Sequence, residues 1–380
     1  MNTDKLAEVS ASNISMALSG GGHRAAAFHL GVLKYLAECR QLSCIDHISS
    51  VSGGSILVAE LMSDQEDALD TDARWLNETH FLTTALSRAR GKIITHSLQS
   101  DFIKRMIKPR NWINVGRRAN LMSESLQSLW GIQNRLADMP ERPKWFINAT
   151  SNFNGQRWLF FPDGGGYRMG DDRHTVNCRN LKTASAVAAS AAYPVVIGPY
   201  RLHSPEPVYL SDGGLYDNLG LEALFDMESD QLKFPAQQAM LIVSDAGTAL
   251  KTKKLPAIWR PFSRLRRMIN IMGQQVRILR LRSLRQAIEK QPRSIVCLSI
   301  GTCWAAVKQS LQSKGSEVPD SVAGYEFLTH AEVSRAANLP TTLASLSASD
   351  TDLLIRHGYE TALIMFSLKP GERHALNLFT

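Results

Sequence analysis

The sequence has few cysteines, and they do not form the pattern of a disulfide framework or a zinc site. The five are Cys39, Cys44, Cys178, Cys297 and Cys303, and no two of them make a Cys-x-x-Cys pair. An odd number of isolated thiols is typical of buried or incidental cysteines in a reducing compartment. We therefore expect a cytoplasmic protein.

Long apolar runs are also missing. No window reaches the roughly 20 apolar residues that a membrane-spanning helix needs, and the opening stretch MNTDKLAEVSASN lacks the apolar core of a signal peptide. Hydrophobic residues make up 44% and charged residues 21% of the 380 residues. This balance is that of a globular protein and excludes disordered and collagen-like chains.

Acidic residues are scarce in one segment, residues 251–293, which has 13 Lys or Arg and one acid in a chain of formal net charge +8. The rest of the chain is therefore slightly acidic, which argues against a nucleic-acid-binding protein. Apolar residues recur in this segment at helical spacing, namely Phe262, Leu265, Ile269, Met272, Val276 and Leu279. The segment is interpreted as a basic helix that packs on the core, docks on anionic lipid or forms a dimer contact. If it docks on lipid, we expect Arg264, Arg266 and Arg267 to face the anionic surface.

Three stretches have the order strand, tight turn, helix. They are NISMALSGGGHRAAAFHLGVLKYLAE, CIDHISSVSGGSILVAELM and VYLSDGGLYDNLGLEAL. This repetition predicts an α/β fold with a largely parallel sheet, and residues 144–170 add a predicted β-hairpin or meander. The turns should then lie at the carboxyl ends of the strands, where open α/β sheets place their sites.

Ser52 lies at the apex of the second turn, in SVSGG. A nucleophile elbow requires a strand that turns sharply into a helix, with small residues on both sides of an exposed serine. Ser50 stands where the G-x-S-x-G pattern has its first glycine. The alternative is a plain turn in which Ser52 or Ser55 caps the helix.

The first turn, SGGGHR, is interpreted as an anion cradle. Its consecutive glycines leave backbone N–H groups unobstructed at a helix amino terminus. A dinucleotide site fits less well, because Ala25 replaces the last glycine of G-x-G-x-x-G and the next strand does not close with an acidic residue.

A serine nucleophile needs a base, and Asp212 in YLSDGG ends a predicted strand. The alternative for Asp212 is a helix cap or a plain Asp-Gly turn. Histidine is the more usual partner, and the order Ser52, Asp212, His357 would match a catalytic triad. His357 falls in a late helical pattern, which favours a packing role.

With SGGGHRA, SVSGG and DGG in this order, the chain resembles the patatin-like phospholipase family. Three further stretches also resemble members of this family, namely WFINAT, ASAAYP and LPTTLASLSASDTDLLIRHGY. The resemblance covers roughly residues 14–365. It implies a three-layer α/β fold with helices on both faces of the sheet. The domain prediction is a polar segment 1–13, a hydrolase domain 14–365 that contains 251–293, and a tail 366–380.

The resemblance also implies a lipid acyl hydrolase with a Ser52–Asp212 dyad and no metal or cofactor. Gly20, Gly21, Gly22 and Gly53 would bind the oxyanion, and Arg24 would hold the substrate phosphate or pack under the loop. A phospholipid membrane surface is the expected partner, on the inner face of the membrane. We also expect control by a ligand or by homo-oligomerisation, since an unregulated enzyme would damage its own membrane.

Two alternative functions stay open. One is a soluble-ester hydrolase with a Ser52–Asp212–His357 triad. The other is a non-catalytic, membrane-associated binding protein, which the Ser50 departure permits.

Overall fold

The structure is a computed structural model that describes residues 13–373, except 65–70, 112–117, 163, 170–171, 195, 204–206, 237 and 251–259. The strands are β1 (Asn13–Leu18), β2 (Ile45–Ser50), β3 (Lys144–Ser151), β4 (Arg157–Phe161), β5 (Gly164–Met169), β6 (Asp172–Val176), β7 (Tyr200–Leu202), β8 (Val208–Asp212), β9 (Phe225–Asp226), β10 (Gln231–Leu232), β11 (Ala239–Asp245) and β12 (Ile295–Ser299).

The helices are α1 (Gly22–Glu38), α2 (Gly53–Met62), α3 (Glu78–His80), α4 (Leu86–Thr95), α5 (Leu98–Ile107), α6 (Arg118–Trp130), α7 (Thr183–Ser190), α8 (Gly214–Asp217), α9 (Pro261–Lys290), α10 (Trp304–Ser313), α11 (His330–Asn338), α12 (Ala348–Ser367) and α13 (Pro370–Arg373). Within the described ranges, none of these helices has the length and apolarity to cross a membrane.

The central sheet is parallel at its core and antiparallel at one edge. Strands β12, β11, β1, β2 and β3 lie side by side in that order and run parallel. The sheet then continues through β4, β5 and β6 with antiparallel pairing. The predicted α/β fold is confirmed, and the stretch predicted as a hairpin or meander forms the antiparallel extension.

Helices cover both faces of the parallel strands. Along β1, Met16 and Leu18 belong to the larger apolar core, whereas Ala17 between them belongs to a second, smaller core. This alternation is the period of two that a buried strand imposes on its side chains. Helices α1 and α12 contribute to the larger core, and the carboxyl-terminal half of α9 closes the smaller one.

Helices α1 and α12 cross with their backbones in close contact. A Cβ atom on Gly31 would lie 1.9 Å from the carbonyl oxygen of Ile355, and one on Gly358 would lie 2.0 Å from that of Phe28. Only glycine fits at both positions, because a methyl group would force the helices apart. This crossing fixes α1, which carries the first glycine-rich turn at its amino end.

The described elements differ in extent from the predicted ones at two places. The third predicted unit has only the single turn α8 after β8. Helix α12 runs on to Ser367 with Phe366 and Leu368 buried, so the predicted domain end at residue 365 falls inside a helix. The predicted basic helix is confirmed and begins at Pro261. Residues 1–12, 251–259 and 374–380, which carry the predicted polar segment and parts of the basic segment and tail, lie outside the described residues.

Candidate active site

Ser52 occupies a strained turn between β2 and α2. Its backbone angles are φ +50° and ψ −113°, in a region that costs a non-glycine residue about 1–3 kcal/mol and is typical of functional turns. The Ser52 side chain makes no capping hydrogen bond to α2. The capping alternative is therefore not adopted for Ser52, and the hydroxyl is left for another partner.

The turn that follows Ser52 is closed by a glycine contact with the first turn. A Cβ atom on Gly53 would lie 2.1 Å from the carbonyl oxygen of Gly22. Since only hydrogen occupies that space, the amino ends of α1 and α2 pack backbone against backbone. Both helices therefore direct the positive ends of their dipoles at the region around Ser52.

Ser50, which stands in place of the expected glycine, belongs to a buried chain of hydroxyl groups. Its Oγ accepts the Nε1–H of Trp145 at 2.8 Å and shares a hydrogen bond with Ser55 Oγ at 2.9 Å. Ser55 Oγ lies 3.0 Å from Ser190 Oγ, which accepts the backbone N–H of Ser52 at 2.9 Å. Ser50 thus stabilises the turn that carries Ser52, although it stands where the pattern has glycine.

Strand β3 brings Asp212 to Ser52. The first half of β3 pairs in parallel with β2, where Ile147 lies opposite Ser50. Its second half pairs antiparallel with β8, where Ala149 lies opposite Asp212. Two residues along a strand correspond to roughly 7 Å, so the carboxyl end of β8 returns directly to the carboxyl end of β2.

The Asp212 carboxyl group is buried, with 6% of the residue exposed. Burial raises its pKa to about 6, against the opposite effects of hydrogen bonds from the Gly214 N–H and the Ser52 hydroxyl. The Gly214 N–H donates to Asp212 Oδ1 at 2.7 Å. The carboxylate therefore faces the Ser52 hydroxyl and is a stronger base than an exposed aspartate.

The glycine-rich turn leaves some of its N–H groups without acceptors. The N–H of Gly20 donates to the carbonyl oxygen of Asn218 at 3.0 Å, so it is already engaged. Within the described part of the chain, the N–H groups of Gly21, Gly22 and Gly53 have no hydrogen-bond acceptor. These three groups, rather than all four predicted ones, are free to bind an anion.

Arg24 lies behind the glycine-rich turn. The residue is 5% exposed, and its guanidinium donates to the carbonyl oxygens of Leu339 at 2.8 Å and Ala246 at 3.0 Å. These bonds tie α1 to the loops that precede α9 and α12. The geometry favours packing under the loop, the second role considered for Arg24, over phosphate binding.

His357 lies on α12 and contacts other residues than the predicted dyad. Its Nε2 hydrogen-bonds to the carbonyl oxygen of Ile300, and its ring packs edge-on against Phe28 at 5.6 Å between centroids. Burial lowers the pKa of His357 to about 4. The triad alternative therefore finds no support in the geometry.

Sequence reasoning missed two residues beside the site. Ser190, at the end of α7, was hidden in the small-residue run TASAVAAS, where one serine among alanines gives little signal. Asn218 follows Asp212 by six residues, and its side-chain oxygen would lie only 2.5 Å from a Cβ on Gly20 and 2.7 Å from one on Gly214. Within the described residues, no group of His, Cys, Asp or Glu side chains could hold a metal ion.

Comparison with known families gives a match over the region that carries this site. A family model described as patatin-like phospholipase matches residues 16–225, which include Ser52, Asp212 and the glycine-rich turn. That is more than half of the chain. A search among curated proteins gave no match.

Comparison with solved structures gives a match that reaches a TM-score of 0.50. Human GIVD cytosolic phospholipase A2 in complex with methyl gamma-linolenyl fluorophosphonate matches with a TM-score of 0.50 at 15% identity, covering 97% of this chain and 60% of that one. Another structure of human GIVD cytosolic phospholipase A2 gives 0.48 at 11% identity, covering 98% and 61%. VipD from Legionella pneumophila gives 0.36 at 14% identity, covering 94% and 66%. The chain thus spans less than two thirds of each of these structures. At 15% identity, the likeness to the fluorophosphonate complex concerns the fold alone.

Proposed function

Because the chain belongs to the patatin-like phospholipase family, we propose that it is a lipid acyl hydrolase that cleaves carboxylic esters of phospholipids. One observation carries the proposal: the Ser52 hydroxyl, on a strained turn, faces the buried carboxylate of Asp212. Burying a charge costs free energy. A buried carboxylate beside a serine that makes no capping hydrogen bond therefore suits catalysis better than it suits stability.

The acylation step begins with attack of Ser52 Oγ on the ester carbonyl carbon, while Asp212 accepts the hydroxyl proton. The carbonyl oxygen becomes an oxyanion, for which Gly21, Gly22 and Gly53 offer N–H donors. Each such donor is worth about 3–4 kcal/mol in comparable sites. Asp212 then returns the proton to the departing alcohol oxygen, and the acyl group stays on Ser52.

The deacylation step repeats this chemistry with water. Asp212 takes a proton from the water molecule, whose oxygen attacks the acyl carbon, and Ser52 leaves with the proton from Asp212. An aspartate with its pKa near 6 suits both halves of the cycle, because it accepts and returns a proton near neutral pH.

Substitutions at three positions test the proposal. Phospholipid and short-chain ester hydrolysis would be measured for the wild type and for Ser52→Ala, Asp212→Ala and His357→Ala. We expect the first two variants to lose activity by several orders of magnitude, with His357→Ala active once its folding is verified. Loss of kcat in a folded His357→Ala variant would instead favour the triad.

A covalent probe gives an independent test. The human phospholipase A2 of similar fold was solved in complex with a fluorophosphonate. Reagents of this class phosphonylate activated serines, with fluoride as the leaving group. We expect labelling of the wild type at Ser52 and none of Ser52→Ala. A wild type that is neither labelled nor active on any ester would point to a binding protein.

A further inference from the structure

The two halves of helix α9 have opposite environments. In the carboxyl-terminal half, Leu281, Leu284 and Ile288 are buried in the smaller core. Two arginines there are paired with carboxylates, Arg277 with Asp245 and Arg280 with Glu222. This half is anchored on the smaller core and on these ion pairs, although Leu279 is 58% exposed.

The amino-terminal half, residues 261–276, has no buried residue. Its large apolar side chains lie in solvent, with exposed fractions of 74% for Phe262, 47% for Leu265, 57% for Met268, 39% for Ile271 and 66% for Met272. Single exposed apolar residues are common on protein surfaces, but five within eleven positions of one helix mark an interaction site. We call residues 261–276 the exposed half of α9.

Three arginines beside these apolar residues are not neutralised. Arg260, Arg264 and Arg266 have no carboxylate within ion-pair distance in the described part of the chain, whereas Arg277 further along does. The exposed half of α9 therefore combines an apolar surface with uncompensated positive charge. Such a combination is complementary to an interface that is apolar inside and anionic outside.

The exposed half of α9 lies beside the candidate active site. The Tyr193 hydroxyl donates to Oδ1 of Asn270 at 2.5 Å, which ties the loop after α7 to α9. Burial raises the pKa of Tyr193, and both Arg266 and Asp212 are close enough to shift it in opposite directions. In the same loop Val196 is 46% exposed. The N–H of Asp212 donates to the carbonyl oxygen of Ala192 at 3.0 Å, so the loop that contacts α9 through Tyr193 also contacts Asp212.

We propose that the exposed half of α9 docks the protein on an anionic lipid surface, with its apolar side chains in the headgroup region and its arginines on lipid phosphates. A second copy of the chain is the less suitable occupant, because a symmetric contact through this helix would place arginines against arginines. This inference rests on the proposed function, because docking at this surface is useful if it brings lipid esters to Ser52.

Vesicle binding by the inactive Ser52→Ala protein tests the docking without lipid turnover. Sedimentation with phosphatidylcholine vesicles, with and without phosphatidylglycerol, would be measured for two proteins. One is Ser52→Ala, and the other carries Arg264→Glu and Arg266→Glu in addition. We expect at least about 25-fold weaker binding to the anionic vesicles, because each arginine near such a surface contributes about a factor of five and each glutamate adds repulsion. The control, Lys308→Glu on α10 with Lys314→Glu directly after it, makes the same charge change and should bind normally.

The apolar contribution is tested by Phe262→Ser with Met272→Ser, which keeps the charge. We expect at least roughly tenfold weaker binding to both kinds of vesicle, since less apolar surface enters the interface. Three results would overturn the proposal: equal losses in the Lys308→Glu with Lys314→Glu control, unchanged binding of both α9 variants, or a wild-type dimer in sedimentation velocity that Phe262→Ser with Met272→Ser abolishes.

The docking and the enzymatic proposals fail separately. If the wild type hydrolyses short-chain esters while the α9 variants bind vesicles normally, the docking surface is wrong and the activity stands. If no ester is hydrolysed while vesicle binding follows the expected pattern, the docking surface stands and the activity is wrong.

Discussion

Replacing Asp212 by Asn should make the protein inactive and more stable. Burial raises the Asp212 pKa from 3.8 to about 6, a change of about 2 units, which corresponds to about 3 kcal/mol. The folded chain thus binds this proton more tightly than the unfolded chain does. As the pH rises from about 4 to about 6, the unfolded state releases the proton first, so the free energy of unfolding of the wild type falls.

The Asn variant avoids this loss, because its neutral amide can still accept the Gly214 N–H without a buried charge. At about pH 8 we expect it to be more stable than the wild type by up to about 3 kcal/mol, and at about pH 4 to be nearly equal. Urea unfolding at both pH values measures the difference. Glu317→Gln, which removes a carboxylate from an exposed position, is the control and should change little at either pH.

Two results would refute this reasoning. If the Asn variant gains no stability at pH 8, the carboxylate is not destabilised by burial and its pKa is not raised. If it gains equally at both pH values, the gain comes from packing or hydrogen bonding and not from the charge. Retained ester hydrolysis by the folded variant would further remove Asp212 as the base.

Three further predictions concern the turn at Ser52, the decrease of kcat/KM at acid pH and the crossing of α1 with α12. Ser190→Ala should leave the Ser52 N–H without an acceptor and lower the free energy of unfolding by about 1–3 kcal/mol. It should also reduce kcat more than it raises KM, whereas a change in KM alone would speak against a positioning role for Ser190. The kcat/KM of the wild type should fall about tenfold between pH 7 and pH 5, because only ionised Asp212 accepts a proton; a flat profile would contradict this. Gly358→Ala should destabilise the fold by roughly 2–4 kcal/mol in urea, while Gly273→Ala, whose Cβ would meet no atom within 4 Å, should be neutral or stabilising.

The strand-to-helix turns were predictable from the sequence because local residue types determine them. Glycine is required where Gly53 meets Gly22, and small residues are required around Ser52. The helical spacing in 261–290 likewise predicted α9. These features depend on residues that are close together in the chain, so the pattern of the chain carries them.

The partners of these residues depended on the tertiary structure. Asp212 was expected at the edge of a parallel sheet, but β8 runs antiparallel beside β3 and reaches Ser52 from the opposite direction. Ser190 supports the elbow from 138 positions away, and Asn218 takes the N–H of Gly20. No spacing in the sequence encodes such contacts, because they arise only when distant segments are brought together.

The sequence by itself thus determined the fold class, the two glycine-rich turns and the serine at the apex of the second. The tertiary structure alone decided which N–H groups stay free, that Arg24 is enclosed behind the loop, and that α9 is buried in one half and exposed in the other. The physical reason is the same in each case. A residue's type and its neighbours set its local conformation, whereas its burial, its charge partners and its pKa depend on groups that only the folded chain places around it.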